Sequence, residues 1–232
     1  HSRARGRERP HHDAARSTAW AVVSALEYHR PELAIVENVP EFRGWTLYPA
    51  WADAIQRLGY AMNPLVVDAA DHGVPQNRKR LFILLNRGRR PIDVRLPRRA
   101  HRPVAEVIAW DAYPWTPIDR PGRSPKTLER IARGRDRFGD RFVIPYYGSG
   151  SGLTGRSIAR PIGTVTTLDR WAVVDGDRMR MLQPSEYRAI MGFPADYHLP
   201  PQRRQAIHLL GNAVCPPVAR DLILALTGGA PR

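Results

Sequence analysis

The short apolar run at residues 33–36 restricts the fold more than any other feature, because consecutive apolar side chains suit a strand that is covered on both faces. Apolar residues recur at helical spacing before it, at 19–26, and after it, at 51–58. Residues 60–67 and 81–85 have the composition of two further strands. Helices and strands that alternate in this way predict a layered α/β domain, and the run at 33–36 predicts a parallel sheet.

The middle of the chain has a different composition. Residues 87–141 hold fifteen Lys or Arg against seven Asp or Glu, with prolines throughout and no clean period. Strand-like residues follow at 142–147 and 164–167, separated by a glycine-serine stretch at 148–152. Helical patterning then returns at 184–190, 202–210 and 217–226. The middle section is therefore predicted to be a separate, basic, loop-rich module set into or after the α/β domain.

The formal net charge of +14 at pH 7 indicates an anionic partner. A cationic surface attracts polyanions, of which nucleic acid is the commonest. Lysine occurs only at Lys79 and Lys126, and every other residue of the Lys and Arg total is arginine. Codon usage in a GC-rich genome explains the choice of arginine over lysine, but it does not explain the excess over acidic residues.

Composition also disfavours several classes of protein. No apolar run approaches the roughly 20 residues of a membrane-spanning helix, and no basic-then-apolar leader is seen, so we expect neither a membrane span nor secretion. The single cysteine, Cys215, excludes an internal disulfide framework and a multi-cysteine zinc site, which favours the cytosol. His11, His12 and Asp13 are adjacent, so their side chains point in different directions, and we interpret them as a solvated, cap-forming stretch without a metal.

One polar block, Glu37-Asn38-Val39, directly follows the apolar run. In open α/β sheets, ligands bind at the carboxyl ends of the strands. A carboxylate that is partly removed from water there can carry a proton near neutral pH, as an acid-base catalyst must. From these three residues alone, a helix cap or a surface turn is the better interpretation.

A second block, Gln76-Asn77-Arg78-Lys79-Arg80, stands at a boundary between a loop and a strand. If the strand includes Arg80, alternation places Arg78 and Arg80 on the same side. A pair of guanidinium groups can hold a carbonyl oxygen or a phosphate with its fork of donors. Taken alone, this block is better interpreted as a solvated basic turn.

Two further blocks lie in the last third of the chain. In residues 178–194, Ser185-Glu186 supplies capping side chains near the start of a helix, and Gly192-Phe193-Pro194 ends it. Gly211-Asn212-Ala213-Val214 forms a turn before a final amphipathic helix that has Pro216 and Pro217 near its first turn. Each block by itself is equally well explained by the ends of helices and the turns between them.

Together and in this order, the blocks resemble the DNA (cytosine-5)-methyltransferase family. The resemblance covers about residues 1–85 and 164–226 and rests on Glu37-Asn38-Val39, Gln76-x-Arg78-x-Arg80, the segment 182–194, and Gly211-Asn212-Ala213-Val214-x-Pro216-Pro217. It implies an α/β fold: part of the doubly wound, Rossmann-like sheet of S-adenosylmethionine-dependent methyltransferases, with a smaller loop-rich target-recognition domain.

The resemblance also implies a domain organisation. Residues 1–86 would form a partial catalytic α/β domain and residues 87–175 the target-recognition region. Residues 176–232 would end the small domain and return a C-terminal helix to the catalytic domain. The surplus of arginine in the middle section suits this assignment, because arginine contacts both phosphates and guanine edges. The Thr-rich residues 163–167 resemble the segment that closes the recognition region.

Roles for single residues follow from the family. There the target cytosine swings out of the duplex, a cysteine thiolate attacks ring carbon 6, and carbon 5 takes a methyl group from S-adenosylmethionine. Carried over, Glu37 would hold or protonate ring nitrogen 3, and Asn38 would fix its loop. Arg80, with Arg78 beside it, would bind the exocyclic oxygen. The pocket of the cofactor S-adenosylmethionine would be lined by Asn212, Ala213 and Val214.

The main departure from the family pattern concerns the nucleophile. In the family, a Pro-Cys loop is followed within a few residues by a segment like His1-Ser2-x-Ala4-x-Gly6, so the catalytic cysteine is expected just before His1. The glycine-rich turn that cradles the methyl donor is expected further upstream. Cys215 stands where the family has a structural or donor-lining residue, and we interpret it as buried and structural. The expected partners are duplex DNA and a missing N-terminal half or a separate complementing chain, without which the 232 residues are expected to be inactive.

Three functions stay open at this point. The leading hypothesis is methylation of carbon 5 of cytosine in DNA, in the cytoplasm of a bacterium or of a phage host and in a setting such as restriction-modification. The rival is a non-catalytic DNA-binding module derived from a methyltransferase. The third is an RNA substrate, because a close relative of the family's fold methylates transfer RNA. The basic middle section favours duplex DNA.

Overall fold

The computed structural model describes residues 17–146 and 155–228. Its helices are α1 (Trp20–His29), α2 (Tyr48–Arg57), α3 (Pro125–Phe138), α4 (Pro184–Ile190), α5 (Arg203–Asn212) and α6 (Pro216–Leu226). Its strands are β1 (Leu33–Asn38), β2 (Tyr60–Asp68), β3 (Lys79–Arg87), β4 (Thr116–Pro117), β5 (Arg141–Pro145), β6 (Arg156–Ser157), β7 (Trp171–Asp175) and β8 (Arg178–Met181). The solvated stretch and cap predicted at His11, His12 and Asp13 and the glycine-serine stretch at 148–152 lie outside the described residues.

The chain divides into two compact units. Among the described residues, the first comprises 17–68, Lys79–Pro97 and 220–228. The second comprises Ala69–Arg78 and Arg98–Ala219. The boundaries predicted at residues 86 and 175 were drawn on function, and they stay a prediction.

The first unit is built on a three-stranded sheet in the order β1-β3-β2. Because β3 pairs antiparallel with both neighbours, β1 and β2 run parallel to each other, with α2 as the crossover between them. Both pairings of this sheet are antiparallel, so the parallel pairing predicted from residues 33–36 was wrong for the described residues. The loop of residues 69–78 turns the chain back from β2 into β3, which places β3 between the two parallel strands. All six residues of β1 are only half-buried. Full burial of this strand was a wrong prediction for the described structure, because β1 forms an edge of the sheet.

One face of this sheet is covered by helices α1 and α2. Successive side chains of a strand point to opposite faces, and alternate residues of β3 enter the core beneath the helices: Leu81, Ile83 and Leu85. From α2, Trp51 and Ile55 are completely buried against them. The apolar spacing that predicted a helix at 51–58 is thus explained by α2.

The second unit contains a five-stranded antiparallel sheet in the order β4-β8-β7-β5-β6. One of its faces packs against α3 around Phe142. A Cβ atom at Gly134 would lie 2.3 Å from Cε2 of Phe142, so glycine lets the helix approach the sheet closely. The sequence pattern did not predict α3, because the buried positions of this helix are Thr127, Ile131 and Gly134 and only one of them carries a large apolar side chain.

The hairpin of β7 and β8 was also absent from the predicted elements, although its turn carries a recognisable signal. Asp175-Gly176 between two strand-like runs is a typical hairpin sequence, and Gly176 has a positive φ of 56°. Hydrogen bonds from Arg141 and Arg178 to the Asp175 carboxylate, both 2.6 Å at their shortest, lower the pKa of this group. The turn end of the hairpin is therefore held by a carboxylate between two guanidinium groups.

A buried ion pair joins β8 to α4. The side chains of Arg180 and Glu186 are 3% and 1% exposed, and two 2.8 Å hydrogen bonds join them. The Glu186 carboxylate also accepts hydrogen bonds from the backbone N–H groups of Ala109 and Gln183, and the second of these is part of a capping box at the start of α4. The capping role predicted for Glu186 is thus confirmed. Every oxygen of this buried carboxylate has a donor, as a desolvated charge requires.

The stretch Arg203–Leu226 is long and apolar enough to cross a membrane by length and composition alone, and 39% of its most apolar window is buried. Core helices of water-soluble proteins pass the same test. In the structure this stretch is two helices, α5 and α6, and Ala213 between them has an extended backbone with ψ 156°. The break interrupts the continuous hydrogen bonding that a bilayer imposes on a spanning helix, so the stretch does not overturn the expectation of no membrane span.

Replacement of Arg180 by Met is expected to lower the free energy of unfolding by about 3–5 kcal/mol, because Glu186 would stay buried without its counter-charge. Urea unfolding followed by tryptophan fluorescence measures this change. The control is Arg133→Met, which removes a pair with Glu129 whose side chains are 48% and 60% exposed and which should cost less than about 1 kcal/mol. Equal losses in the two variants would contradict the importance of the buried pair.

Candidate active site

The carboxyl end of β1 and the amino end of β3 lie at the same edge of the first unit's sheet, because the two strands are antiparallel neighbours. In their register Glu37 is opposite Phe82, and Asn38 is opposite Leu81. Residues two apart on a strand share a face, so Arg80 lies on the face of Phe82 and hence of Glu37. The register therefore brings together two of the residues that were predicted as catalytic.

Glu37 and Arg80 form an ion pair in which Nε of Arg80 lies 3.1 Å from Oε1 of Glu37. Their side chains are 26% and 15% exposed, so both are partly removed from water and still within reach of a ligand. Nη1 of Arg80 also donates to the carbonyl oxygen of Lys79 at 2.9 Å, which fixes the guanidinium plane. The pair presents an acceptor that can hold a proton beside a donor that can bind an oxygen. It complements a flat ring with a nitrogen and a carbonyl side by side.

Asn38 acts on the backbone that leaves β1. Its Oδ1 accepts a hydrogen bond of 2.8 Å from the N–H group of Val39. Val39 is extended and precedes the 3-10 turn Pro40–Gly44, in which Phe42 is buried. The bond of Asn38 therefore fixes the direction in which the chain turns away after Glu37.

Arg78 is placed differently from Arg80. Because β3 begins at Lys79, the alternation that was expected to direct both arginines to one side does not extend to Arg78. Arg78 is 3% exposed. Its guanidinium donates to three backbone carbonyl groups at 2.8 to 3.0 Å: Val165, Gly211 and Ala213. The bonds join three separate segments of the second unit.

Gln76 and Asn77 hold the same Thr-rich segment. The completely buried Gln76 accepts a 2.7 Å hydrogen bond from the N–H group of Val165. Thr164 donates through Oγ1 to the carbonyl oxygen of Asn77 at 2.9 Å. Together with Arg78, these residues form a clamp, which we define as residues 76–78.

The strand predicted at 164–167 is not formed, and the clamp explains why. The N–H group of Val165 is bound by Gln76 and its carbonyl oxygen by Arg78, so side chains occupy the groups that a neighbouring strand would pair. Gln76 had no predicted role of its own. It was noticed only as part of the Gln-x-Arg block, because its hydrogen-bond partner is 89 residues away and a single sequence does not show such a contact.

The three residues predicted to line the donor pocket lie where α5 ends. Asn212 is exposed, and its Nδ2 lies 3.5 Å from Nδ1 of His208. Ala213 and Val214 are half-buried and continue the chain away from the helix. This segment therefore offers a carboxamide and a small apolar surface side by side, a combination suited to a ligand with both polar and apolar parts.

Cys215 is 2% exposed, and its Sγ lies 4.0 Å from Sδ of Met191. The burial expected for this cysteine is confirmed, and it has no access to a substrate. In residues 17–146 and 155–228, no three His, Cys, Asp or Glu side chains come together as metal ligands would.

The sequence profile of the C-5 cytosine-specific DNA methylase family matches residues 2–106 and 121–227. The chain belongs to this family. Type II methyltransferase M.NlaX of Neisseria lactamica is 28% identical over 206 residues, which are 83% of this chain and 62% of the relative. Type II methyltransferase M.MspI of a Moraxella species is 28% identical over 225 residues, 88% of this chain and 49% of the relative. The chain thus spans about half to three fifths of the length of these family members.

Solved structures agree with the family at the level of the fold. A putative DNA modification methyltransferase encoded within a prophage of E. coli superposes with a TM-score of 0.65 at 15% identity, covering 93% of this chain and 74% of that one. A mutant of DNMT2 from Spodoptera frugiperda superposes with a TM-score of 0.63 at 18% identity, covering 90% and 70%. The α/β methyltransferase fold predicted from the sequence blocks is confirmed.

Gly211→Ala is expected to destabilise the second unit. The added Cβ would lie 2.3 Å from the carbonyl carbon of Thr166 and 2.4 Å from the nitrogen of Thr167, so α5 and this backbone would have to separate. The bond from Arg78 to the Gly211 carbonyl would weaken as well, and we expect a loss of about 1–3 kcal/mol in urea unfolding.

The matched control is Gly44→Ala, because nothing lies within 4 Å of a Cβ at that position. Its stability should stay within about 0.5 kcal/mol of the wild type. Equal stabilities of the two variants would contradict the close approach at Gly211.

Proposed function

We propose that this chain forms part of an enzyme that transfers a methyl group from S-adenosylmethionine to carbon 5 of cytosine in duplex DNA. One observation carries the proposal: in a chain of the C-5 cytosine-specific DNA methylase family, Glu37 and Arg80 meet at 3.1 Å at the edge of the sheet. A carboxylate and a guanidinium in that arrangement suit a cytosine ring, which has nitrogen 3 next to its exocyclic oxygen.

In this proposal the base leaves the duplex to reach the pair, because ring atoms of a stacked base are inaccessible to protein side chains. Glu37 holds or supplies a proton at nitrogen 3. Arg80 donates hydrogen bonds to the exocyclic oxygen and stabilises the charge that develops on the ring. Since both side chains stand on strands rather than on loops, their positions are fixed before the base arrives.

Arg78, which was predicted beside the base, receives a positioning role, and Asn38 keeps the loop-fixing role that was predicted for it. The bond from Asn38 to Val39 supports the expectation that Asn38 fixes the loop after Glu37. The guanidinium of Arg78 is bound to the carbonyl groups of Val165, Gly211 and Ala213. These contacts support a role in holding the backbone next to the donor-binding residues.

S-adenosylmethionine would supply an activated methyl group. The residues that we propose to hold it are Asn212, Ala213 and Val214. Their mixture of an exposed carboxamide and half-buried apolar groups fits a ligand with polar and apolar parts. The bond from Arg78 to the carbonyl oxygen of Ala213 keeps this segment in one conformation.

The nucleophile has to come from elsewhere, because Cys215 is the single cysteine of this sequence and is buried. We propose that a thiolate outside these 232 residues, in the same polypeptide or a separate chain, completes the site. Its attack forms a sulfur–carbon 6 bond, while the displaced ring electrons and the proton from Glu37 form N–H at nitrogen 3. When carbon 5 gains the methyl group, nitrogen 3 returns its proton to Glu37. A base then removes the proton at carbon 5, the electrons of that bond re-form the double bond between carbons 5 and 6, and the thiolate leaves carbon 6. The 232 residues alone would then be inactive.

The bacterial relatives are named Type II methyltransferases, which supports a restriction-modification setting in the cytoplasm of a bacterium or of a phage host. A second candidate is a non-catalytic DNA-binding module. The burial of the single cysteine favours it, since the chain then has no thiolate of its own.

The test compares two proteins: this chain, and this chain extended upstream through a Pro-Cys loop and a glycine-rich turn. Each is incubated with cytosine-containing duplex DNA of mixed sequence and tritiated S-adenosylmethionine, and label in the DNA is counted. We expect label with the extended protein only. If neither protein transfers label and the 232-residue chain still binds duplex DNA, the binding module replaces the enzyme.

In the extended protein, Glu37→Gln should lower kcat by about 10²–10⁴-fold, the usual contribution of proton transfer by a positioned group. The control is Glu32→Gln, one residue before β1, where the side chain is 79% exposed and pairs with Arg87 at 3.5 Å. Its kcat should equal that of the wild type. Equal kcat values in the two variants would remove Glu37 from the mechanism.

A further inference from the structure

We infer that residues 88–97, named here the arginine strap, form a second contact surface for nucleic acid, one that grips the phosphate backbone of duplex DNA without reading its sequence. The strap belongs to the first unit and directly follows β3. The inference rests on the proposed function in its choice of DNA, but it concerns residues that have no part in the methyl-transfer site.

The strap begins at the end of β3 that is opposite to the candidate active site and then runs back along the sheet, because Ile92 is bound by Asn63, which pairs with Leu84 in the middle of β3. Arg80 stands at the start of β3 and Arg87 at its last residue. At about 3.3 Å per residue these two positions are about 23 Å apart along the strand. Arg89 and Arg90 directly follow this far end of β3, so a contact made by them would involve a different part of the DNA from a base held by Glu37 and Arg80.

Two buried or half-buried amides hold the backbone of the strap in place. The Asn86 side chain donates to the carbonyl oxygen of Arg90 at 3.1 Å and accepts from the N–H group of Ile92 at 3.2 Å. Asn63 donates to the carbonyl oxygen of Ile92 at 2.9 Å. These bonds take the place of a strand ladder, so the strap is fixed although it belongs to neither a helix nor a strand.

Side chains along the strap alternate between the two sides. Ile92, Val94 and Leu96 are half-buried, while Asp93 and Arg95 are exposed. This period of two is that of an extended chain with one face on the protein. The apolar side anchors the strap, and its outward side presents charge to the solvent.

The outward arginines lack acidic partners. Arg89, Arg90 and Arg95 are exposed, and within residues 17–146 and 155–228 none of them forms a salt bridge. Three other exposed arginines each pair with a carboxylate four residues away and serve as the comparison: Arg57 with Asp53, Arg102 with Glu106 and Arg133 with Glu129.

The spacing and chemistry of these three arginines suit a phosphate backbone. An extended chain from Arg89 to Arg95 covers up to about 20 Å, and each DNA strand carries one phosphate per about 3.4 Å of helix axis. Three guanidinium groups can therefore contact phosphates along about six nucleotides, with the fork of donors that arginine offers to phosphate. Arginine also reads guanine edges, but contacts to phosphates carry no sequence information, so contacts of the strap along the phosphate backbone are expected to be independent of sequence.

The experiment measures how DNA binding depends on salt. The variant R89Q/R90Q/R95Q is compared with the control R57Q/R102Q/R133Q, which removes the same charge from arginines that already have a carboxylate partner. Each protein is the whole 232-residue chain, and binding to two unrelated duplexes is titrated from 50 to 300 mM salt. Thermal unfolding of both variants checks that they fold.

We expect the slope of log K against log salt to fall in magnitude by about 2–3 for the strap variant, because about 0.9 is lost per phosphate contact. For the control, the magnitude of this slope should fall by less than about 1, and both duplexes should give the same change in slope. Equal slopes for the two variants would overturn the inference, as would an effect restricted to one duplex. Absence of DNA binding by the wild type would also overturn the inference. A change of slope with a matched RNA duplex but not with DNA would make RNA, and not DNA, the partner of the strap.

Methyl transfer by the extended protein separates this inference from the proposed function. The strap variant should keep its kcat and show a raised KM for DNA. Absence of methyl transfer by the wild type, together with a changed slope for the strap variant, would reject the enzyme and keep the strap. Methyl transfer by the wild type, together with equal slopes for the strap variant and its control, would keep the enzyme and reject the strap as a DNA contact.

Discussion

The guanidinium group of Arg78 is the contact on which the second unit most depends. It is buried, positively charged and bound to carbonyl groups from two distant parts of the chain, at Val165 and at residues 211–213. Without these carbonyl groups the buried charge would lose three hydrogen bonds that compensate for its removal from water, so these segments must stay together for the unit to fold. Gln76 adds a bond to the N–H group of the same Val165. The clamp therefore sets the position of the chain that precedes α6 and of the residues proposed to hold the methyl donor.

In the first unit, the pairing of two strands places the side chains of Glu37 and Arg80 next to each other. Antiparallel pairing of β1 with β3 sets the end of one strand beside the start of the other, and the pleat turns Glu37 and Arg80 to the same face. The side chains of Glu37 and Arg80 are 26% and 15% exposed, so their ion pair is largely removed from water and still within reach of a ligand. A site on two strands that share a sheet is more rigid than one on a loop. Rigid donors stabilise developing charge without reorganisation.

The helical and strand periodicity of the sequence predicted most helices and strands of this fold. The order of four short sequence blocks indicated the family. Local periodicity is a property of neighbouring residues, so it survives in one sequence. It failed at α3, whose buried face includes Thr127 and Gly134, and at residues 164–167, where side chains from the clamp occupy the backbone groups of a predicted strand. In both places a contact with another element decided the outcome: the ring of Phe142 in the next strand packs against Gly134, and Gln76 and Arg78 bind Val165, which is far away in the sequence.

The sequence by itself determined which chemistry the chain can carry: the residue types, their order, the excess of arginine and the single cysteine. Only the tertiary structure decided what each arginine does. Arg78 binds backbone carbonyls, Arg80 faces Glu37, Arg180 is buried against Glu186, and the arginines of the strap face solvent without a carboxylate. All of them carry the same charge and the same fork of donors. Their roles differ because burial and the choice of partner set the energy of a guanidinium group, and both are fixed by chain segments that are far apart in the sequence.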